Sequence, residues 1–197
     1  MADPPKILAF AGSTRTDSYN KKLVKLAAAQ AQAAGASVTL FDLRDLTLPL
    51  FDQDMETRDG LPAGAQRLKE LMLAHDGLLI SSPEYNSSIS GVLKNAIDWA
   101  ARPAPNEAPL ACFTDKTAAL LSASPGALGG LRGLVHLRAI LGNIGVLVLP
   151  NQVAVPKAND AFNPDGTLKD PKLQGAVEKL CRNLVAIVSK LTDKKTG

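Results

Sequence analysis

The stretch Gly77–Trp99, GLLISSPEYNSSISGVLKNAIDW, decides the fold because it carries a buried strand into a helix through a polar turn. Gly77–Ser81 is a short run without polar alternation, which is typical of a strand covered on both faces of a parallel sheet. Pro83 cannot continue a sheet ladder and therefore ends the strand. Apolar residues recur at helical spacing after the turn, so Ile89–Ala101 is predicted to be a helix.

The same alternation of strand and helix extends along the rest of the chain. The predicted strands are Lys6–Ala11, Ser37–Phe41, Gly77–Ser81, Thr117–Ser122 and Gly145–Leu149. The predicted helices are Ser18–Ala34, a segment from Pro62 to about His75, Ile89–Ala101, Leu128–Leu141 and Pro171–Leu191. Gly35 is a predicted C-terminal cap, and residues 43–61 are predicted to be an irregular connection. Because right-handed crossovers place helices on both faces of a parallel sheet, the pattern predicts one doubly wound, three-layer α/β domain over residues 1–197.

Composition excludes several classes of protein. The 197 residues are 46% hydrophobic and 21% charged, and a net charge of +3 is scattered without a basic stripe, so we expect no nucleic-acid partner. No apolar stretch approaches the ~18 residues of a membrane span, and the start MADPPKILAFAGS does not resemble a signal peptide. Cys112 and Cys181 are far apart and are predicted to be free thiols rather than a disulfide. A cytoplasmic location is therefore expected.

Ligands of doubly wound sheets bind beyond the carboxyl ends of the strands, so the loops there are the candidate site. The first of them, GSTRTDSYN at Gly12–Asn20, combines short hydroxyl and amide side chains with Arg15 at the start of a helix. Helix N-termini and guanidinium groups both favour phosphate. Neither G-x-x-x-x-G-K-[ST] nor G-x-G-x-x-G is present, so a phosphomonoester is favoured over a triphosphate or a dinucleotide. The alternative is that Asp17 or Ser18 only caps the helix.

The second loop, Pro83–Asn86 (PEYN), suits a flat heteroaromatic ring with a polar edge. Backbone N–H groups and Asn86 would meet the edge of such a ring, and Tyr85 would border it. The alternative is an ordinary helix entry with an incidental tyrosine.

The third loop, Ser122–Gly133 (SASPGALGGLRG), contains Gly126, Gly129, Gly130 and Gly133. A glycine inside a helix costs ~1 kcal/mol relative to alanine, so we expect a close backbone approach by a ligand ring or by a neighbouring subunit. Together the three loops predict a ligand with a phosphate at one end and a planar ring at the other. Flavin mononucleotide (FMN) has this shape.

These motifs resemble the NADPH-dependent FMN reductase family, whose members include quinone, chromate and azo-dye reductases. PEYN followed by G-x-L-K-N-x-x-D-W is the specific part of the resemblance, which extends over about Lys6–Leu191. It implies a flavodoxin-like sheet of order 2-1-3-4-5. It also implies an FMN site made of Ser13, Thr14, Arg15, Ser18, Tyr19, Asn20, Pro83, Glu84, Tyr85, Asn86, Ser122, Ser124 and Gly126. Some members carry a hydroxyl residue where Ala123 stands, so any side-chain contact there falls to Ser122 or Ser124.

The resemblance further implies a cycle in which NADPH or NADH passes hydride to the N5 atom of FMN, which then reduces a second substrate by a ping-pong mechanism. The cofactor carries this chemistry, so no catalytic side chain is expected. Quinone, free flavin, azo-dye, chromate and organoarsenical acceptors are all compatible with an open flavin face. Family members are usually dimers or tetramers, and the helices that carry Trp99 and Gly129–Arg138 are the candidate contacts.

Three further residues have only hypotheses attached to them. Arg132 is expected either to attract the phosphate of the nicotinamide cofactor or to pair with Glu84 across a subunit boundary. His75 and His136 are expected to be structural, and no metal site is predicted.

Two other classes of protein compete with the reductase. A flavodoxin-type electron carrier would bind FMN without reacting with a nicotinamide cofactor, but such carriers generally have a strongly acidic face, which a chain of net charge +3 lacks. A flavin-free interaction module would keep only the fold. The intact loop motifs disfavour that alternative.

Overall fold

A computed structural model of the protein describes residues 3–193. The ends of the predicted domain, residues 1–2 and 194–197, lie outside the described residues. The strands are β1 Lys6–Ala11, β2 Ser37–Asp42, β3 Gly77–Ser81, β4 Glu84–Tyr85, β5 Ser88–Ile89, β6 Thr117–Ala123 and β7 Leu147–Val155. The α-helices are α1 Tyr19–Ala33, α2 Gln53–Asp59, α3 Ala63–Leu73, α4 Gly91–Ala100, α5 Leu131–Asn143 and α6 Pro171–Asp193.

The central sheet is parallel and has the order β2-β1-β3-β6-β7. Counted without the short strands β4 and β5, this is the predicted order 2-1-3-4-5, so the doubly wound prediction is confirmed. The chain order reverses between β1 and β3. From β1 the chain continues to β2 on one side of the sheet, and from β3 it continues to β6 on the other side. Loops after these two strands diverge and leave a crevice at the carboxyl edge of the sheet.

Helices cover both faces of the sheet, as the unbroken apolar strands require. On one face, α1 and α6 pack against alternate strand residues such as Ile7, Leu79 and Leu121. On the other face, α3, α4 and α5 pack against residues of opposite orientation such as Leu8, Ile80 and Leu120. Trp99 is fully buried. Its indole N–H donates to Pro49 O over 2.8 Å and so anchors the connection that follows β2.

This connection, residues 43–61, was predicted to be irregular, and that prediction is wrong in two places. Leu43–Leu46 forms a 3-10 helix, and α2 follows it. Asp52 caps α2 by accepting from the N–H groups of Asp54 and Met55, and Gly60 ends it with a φ of 77°. No residue of α2 is buried. Its sequence therefore lacks the apolar period by which a helix is recognised.

The predicted start of α4 at Ile89 is also corrected. Ile89 belongs to β5, which pairs antiparallel with β4 and places Ile89 opposite Glu84. The helix begins at Gly91 because the Ser90 hydroxyl caps it, accepting from Leu93 N over 3.1 Å. The short hairpin β4–β5 escaped prediction because two residues a strand are too few to show alternation.

The last strand and the helix before it lie further along the chain than predicted. β7 runs from Leu147 through Pro150 to Val155, because a register shift between Ala118 and Leu120 of β6 accommodates the proline. The Arg138 guanidinium of α5 donates to the carbonyl oxygens of Val148 and Pro150 beside this shift, each over 3.4 Å. Helix α5 begins at Leu131 rather than Leu128, since Gly129 and Gly130 both have positive φ.

Candidate functional site

A cleft of about 220 Å³ lies at the carboxyl edge of the sheet, where the loops after β1, β3 and β6 meet. It is lined by Ser13, Arg15, Ser18, Tyr19, Asn20, Pro83, Glu84, Tyr85, Ala123, Ser124 and Pro125. Nine of these eleven residues are among the predicted site residues, and the structure brings all three predicted loops to one place. The other two, Ala123 and Pro125, fall within the predicted third loop.

The first loop surrounds the N-terminus of α1. Ser18 is the N-cap, and its hydroxyl oxygen accepts from Asn20 N over 3.2 Å, so this residue does cap the helix, and its binding of phosphate stays a prediction. The Ser13 hydroxyl oxygen accepts from Arg15 N over 3.3 Å. Because both hydroxyl groups accept here, each keeps its own hydrogen to donate to a ligand. The Arg15 guanidinium carbon lies 5.3 Å from the centre of the Tyr19 ring.

Thr14 belongs to the neighbouring depression rather than to the cleft lining. That depression measures about 260 Å³ and is also lined by Arg44 and Leu50. Arg44 Nη1 donates to the hydroxyl oxygen of Thr16 over 3.0 Å, which places a second guanidinium beside the first loop.

Asn20 was expected to bind phosphate, but its side chain is engaged in the interior. It is 3% exposed. Its Oδ1 accepts from Ser81 Oγ and from Ala123 N, and its Nδ2 donates to Ala123 O, each over 2.9 Å. One amide thus connects the start of α1 with the ends of β3 and β6. This leaves a single Nδ2 hydrogen that could reach a ligand.

The second loop is the hairpin β4–β5, whose turn consists of Asn86 and Ser87. Their φ angles are 51° and 65°, and two successive positive values are the signature of a type I′ turn. Asparagine tolerates this region well and serine does not, so the backbone at Ser87 is strained. Pro83 is buried, and Tyr85 is 56% exposed at the cleft.

Glu84 lines the cleft, but its carboxylate points to α5. It accepts from Gly133 N over 3.1 Å and pairs with Arg132 Nη2 over 2.6 Å. Burial favours the neutral acid, yet the Gly133 N–H and the Arg132 guanidinium together hold the pKa of Glu84 below its usual value. The carboxylate is therefore ionised at neutral pH. The hypothesis that Arg132 pairs with Glu84 across a subunit boundary is corrected, because the pair forms within one chain.

The third loop departs from expectation in its glycines. An alanine methyl at Gly129 would lie 2.7 Å from the Val155 carbonyl carbon, and one at Gly133 would lie 3.1 Å from Ser88 O. At Gly130, which has a φ of 91°, it would lie 1.8 Å from Ser122 Oγ. The chain's own elements therefore require these close approaches, and neither a ligand nor a neighbouring subunit is needed to explain them. Gly126 is different, since only the Ser124 hydroxyl lies nearby, at 3.6 Å.

Ser122 does not serve as predicted through its side chain. The residue is fully buried, and its hydroxyl has no hydrogen-bond partner among residues 3–193. It lies under Gly130, on the α5 side of the sheet, because successive residues of β6 point to opposite faces. Ser124 is the hydroxyl residue of this loop that reaches the cleft.

Ser90 is a site residue that the sequence analysis missed. Its hydroxyl donates to Gly12 O over 2.6 Å while capping α4, so it joins the first loop to the helix that follows the second. A serine directly before a helical pattern is a recognisable cap signal. It was overlooked because the helix was predicted to begin at Ile89, two residues before its observed start at Gly91.

A larger cavity of about 610 Å³ lies between α2, α3 and the loop after α4. It is a weaker candidate for an anion or a flavin, because its lysine, Lys69, already pairs with Glu107 over 2.6 Å and donates to Arg102 O. The cleft, by contrast, lies at the switch point of the sheet.

Each of the two histidines has a hydrogen-bond partner within the chain. The His75 ring lies within 2.7 Å of Leu71 O and Thr39 Oγ1, and His136 Nδ1 lies 2.9 Å from Ser88 Oγ. Across residues 3–193, no group of three or more His, Cys, Asp or Glu side chains is arranged to hold a metal ion. None of the helices in that range combines the length and apolar content needed to cross a bilayer.

Comparison with known proteins agrees with this geometry. The family model of NADPH-dependent FMN reductases matches residues 5–160. The chain belongs to this family. It is 37% identical to the NAD(P)H-dependent FMN reductase of Pseudomonas aeruginosa over 192 residues, covering 97% of this chain and 99% of that one. It is 34% identical to a probable NADPH:quinone oxidoreductase of rice, Oryza sativa, covering 96% and 91%.

A solved flavoenzyme structure also superposes on the chain. FerB, a flavoenzyme NAD(P)H:(acceptor) oxidoreductase from Paracoccus denitrificans, superposes with a TM-score of 0.77 at 28% identity, covering 94% of this chain and 98% of that one. The protein is thus an oxidoreductase of the NADPH-dependent FMN reductase family, with FMN as cofactor and NAD(P)H as reductant.

The cleft fits the FMN of this family. The Ser13 and Ser18 hydroxyl hydrogens, the N-terminus of α1 and Arg15 converge at one end, as a phosphate requires. Pro83, Glu84 and Tyr85, which lead into the type I′ turn, line the same cleft and leave room for a ring with a polar edge.

Proposed function

We propose that the protein holds FMN in the carboxyl-edge cleft and uses NAD(P)H to reduce small acceptors of the quinone type by a ping-pong cycle. One observation carries the proposal: hydroxyl side chains, the N-terminus of α1 and strand β4 of the hairpin line a single open cleft. Bound FMN supplies the hydride-accepting centre. The residues of the chain therefore need only bind the FMN, orient it and enclose the site.

Three groups would bind the phosphate. The N-terminus of α1 contributes ~0.3–1 kcal/mol when exposed and up to ~2 kcal/mol when partly buried. The hydroxyl groups of Ser13 and Ser18 would donate, and Arg15, whose guanidinium donates to Asp17 O over 2.5 Å and lies over the Tyr19 ring, would add a charged fork. Phosphate would thus be recognised by the backbone at the start of α1, by two hydroxyl groups and by one guanidinium.

The ring would lie against the second and third loops. The buried Pro83 and the strained turn at Asn86–Ser87 present backbone groups in a fixed orientation, and a strained turn at a binding site is a form of preorganisation. Ser124 and Ala123 border the opposite edge. Ser124 is the hydroxyl donor available there, since Ser122 is buried.

The acceptor class rests on the relatives and on the openness of the cleft. The rice relative is named a quinone oxidoreductase, and other relatives are named quinone reductases. One open face would serve the nicotinamide and the acceptor in turn, which is the physical basis of a ping-pong cycle. A flavodoxin-type carrier has less support, because the family to which this chain belongs reacts with NADPH.

The deciding experiment is an anaerobic addition of NADPH to the FMN-loaded protein, followed by a benzoquinone. We expect the flavin absorbance band to bleach and then return, and initial rates at several quinone concentrations to give parallel double-reciprocal lines. A bound flavin that stays oxidised would contradict the proposal and indicate a flavodoxin-type electron carrier. Intersecting lines would refute the ping-pong order.

The proposal also includes the oligomeric state and the cellular location of the protein. The protein is a homodimer or homotetramer, supported by the apolar residues Leu128, Leu131 and Val135, which are 51%, 42% and 57% exposed along the start of α5. Light scattering that gives a monomer mass would refute this. It is cytoplasmic, supported by two buried free thiols, and cell fractionation tests the location.

A further inference from the structure

The hairpin β4–β5 has little intrinsic stability. Each strand has two residues, and the hairpin is not paired with the central sheet. An isolated two-stranded hairpin is at best marginally stable in water, even when it is longer. Its turn also contains Ser87, a non-glycine residue with a φ of 65°. Other contacts must therefore hold the turn that borders the flavin site.

Helix α5 lacks a side-chain cap at its N-terminus. Its N-cap is Gly130, which offers no side chain to the first N–H groups of the helix. Unsatisfied N–H groups at a helix start are costly when they are part-buried. Gly130 cannot be exchanged for a capping residue, because its φ is 91° and the hydroxyl of Ser122 fills the space of a side chain.

The carboxylate of Glu84 both anchors the hairpin and caps the start of α5. Its Oε2 accepts from Gly133 N over 3.1 Å, and its Oε1 accepts from Arg132 Nε over 2.9 Å. The side chain is 8% exposed, while that of Arg132 is 59% exposed, so the bond to Gly133 is the better shielded of the two. A negative charge is favourable at the N-terminus of a helix.

Two further contacts align the same surfaces. Because Gly133 has no side chain, Ser88 and Glu84 can approach the helix backbone closely. Ser88 Oγ also lies 2.9 Å from His136 Nδ1, one turn further along α5. The hairpin and the first two turns of α5 thus form one unit, with Glu84 at its centre.

We propose that Glu84 is a positioning residue for flavin binding, which holds the ring-side turn in place by capping α5 rather than by touching the flavin with its carboxylate. This inference rests on the proposed function for its ligand. It adds a coupling: ordering of the first turn of α5 and occupancy of the cleft stabilise each other.

The test compares Glu84→Gln with Glu70→Gln, a matched change in the exposed pair Arg67–Glu70 on α3. Two properties are measured: the dissociation constant of FMN by fluorescence titration, and amide hydrogen exchange of the FMN-free protein. We expect Glu84→Gln to weaken FMN binding by about tenfold, as the loss of a charge-assisted hydrogen bond implies. Exchange should accelerate in residues 84–89 and 131–134, and the visible band of bound FMN should shift. Glu70→Gln should change none of these.

Arg132→Ala serves as a second variant, since it removes the guanidinium contacts and leaves the hairpin residues intact. It should act in the same direction with a smaller effect. Unchanged binding and exchange in Glu84→Gln would overturn the inference. Weakened binding with unchanged exchange would also overturn it, because Glu84 would then be a direct ligand. Wild-type protein that fails to bind FMN would refute the proposed function, while the exchange data would still judge the link between hairpin and helix.

Discussion

At the residue scale, Asn20 shows how one side chain can organise a site. Its three buried hydrogen bonds connect α1 with β3 and β6, the elements whose loops form the cleft. The family resemblance implied that Asn20 binds phosphate, and that role stays a prediction. In the structure, most of the hydrogen-bonding groups of this side chain bind Ser81 and Ala123, which support the site from the interior.

Asn20→Ala should therefore destabilise the protein even without cofactor. The Ser81 hydroxyl and both backbone groups of Ala123 would lose their partner in the interior. We expect the free energy of unfolding of the FMN-free protein to fall by about 2–4 kcal/mol, measured by urea denaturation. Asn159→Ala, at an exposed turn, is the control and should change it by less than about 0.5 kcal/mol. Weaker FMN binding with unaltered stability of the FMN-free protein would instead make Asn20 a ligand alone.

At the scale of elements, the sequence predicts best where a segment buries an apolar stripe or a continuous apolar run. Helices α1 and α6 and strands β1 and β3 were predicted almost to the residue for this reason. Helix α2 was missed because none of its residues is buried and only its caps, Asp52 and Gly60, distinguish it. Polar caps of this kind also occur in ordinary turns, so they do not identify a helix by themselves.

Elements held by tertiary contacts are the hardest to predict. The hairpin β4–β5 exists through Glu84, Ser88 and their contacts with α5, which lies more than forty residues away in the chain. The motif PEYN predicted where a ligand would bind, and it did not predict that Glu84 turns away from the cleft. Likewise, the glycines of the third loop were recognisable as close approaches, but their partners became known only with the packing of β6 and β7.

At the scale of the whole molecule, one cysteine lies in each of the two hydrophobic layers that cover the faces of the sheet. Cys181 lies in the layer of α1 and α6, and Cys112 lies in the layer of α3, α4 and α5. Both are fully buried. Burial raises the pKa of Cys181 to about 12, and it also raises the pKa of Cys112. Neither thiol is reactive in the folded protein, since the thiolate is the nucleophile.

We therefore expect no thiol to react with a disulfide reagent in the native protein and two to react after denaturation. Under intermediate denaturant, both should become reactive at one common rate, because the single domain predicted over residues 1–197 would open as one cooperative unit. Mass spectrometry of the labelled protein distinguishes the two sites. Labelling of Cys112 well before Cys181 would show that the two layers unfold separately and would contradict the single-domain prediction.

Association between copies is constrained by the proline in β7. An outer strand normally exposes a row of N–H and C=O groups onto which another chain can add, and such addition is a route to aggregation. Pro150 has no N–H to contribute, and Arg138 already occupies the carbonyl oxygens of Val148 and Pro150. The β7 edge is thus protected against fibrous growth by continuous sheet extension. Copies of this chain that assemble are therefore not expected to do so by adding strands at β7, and the sheet ends at this edge.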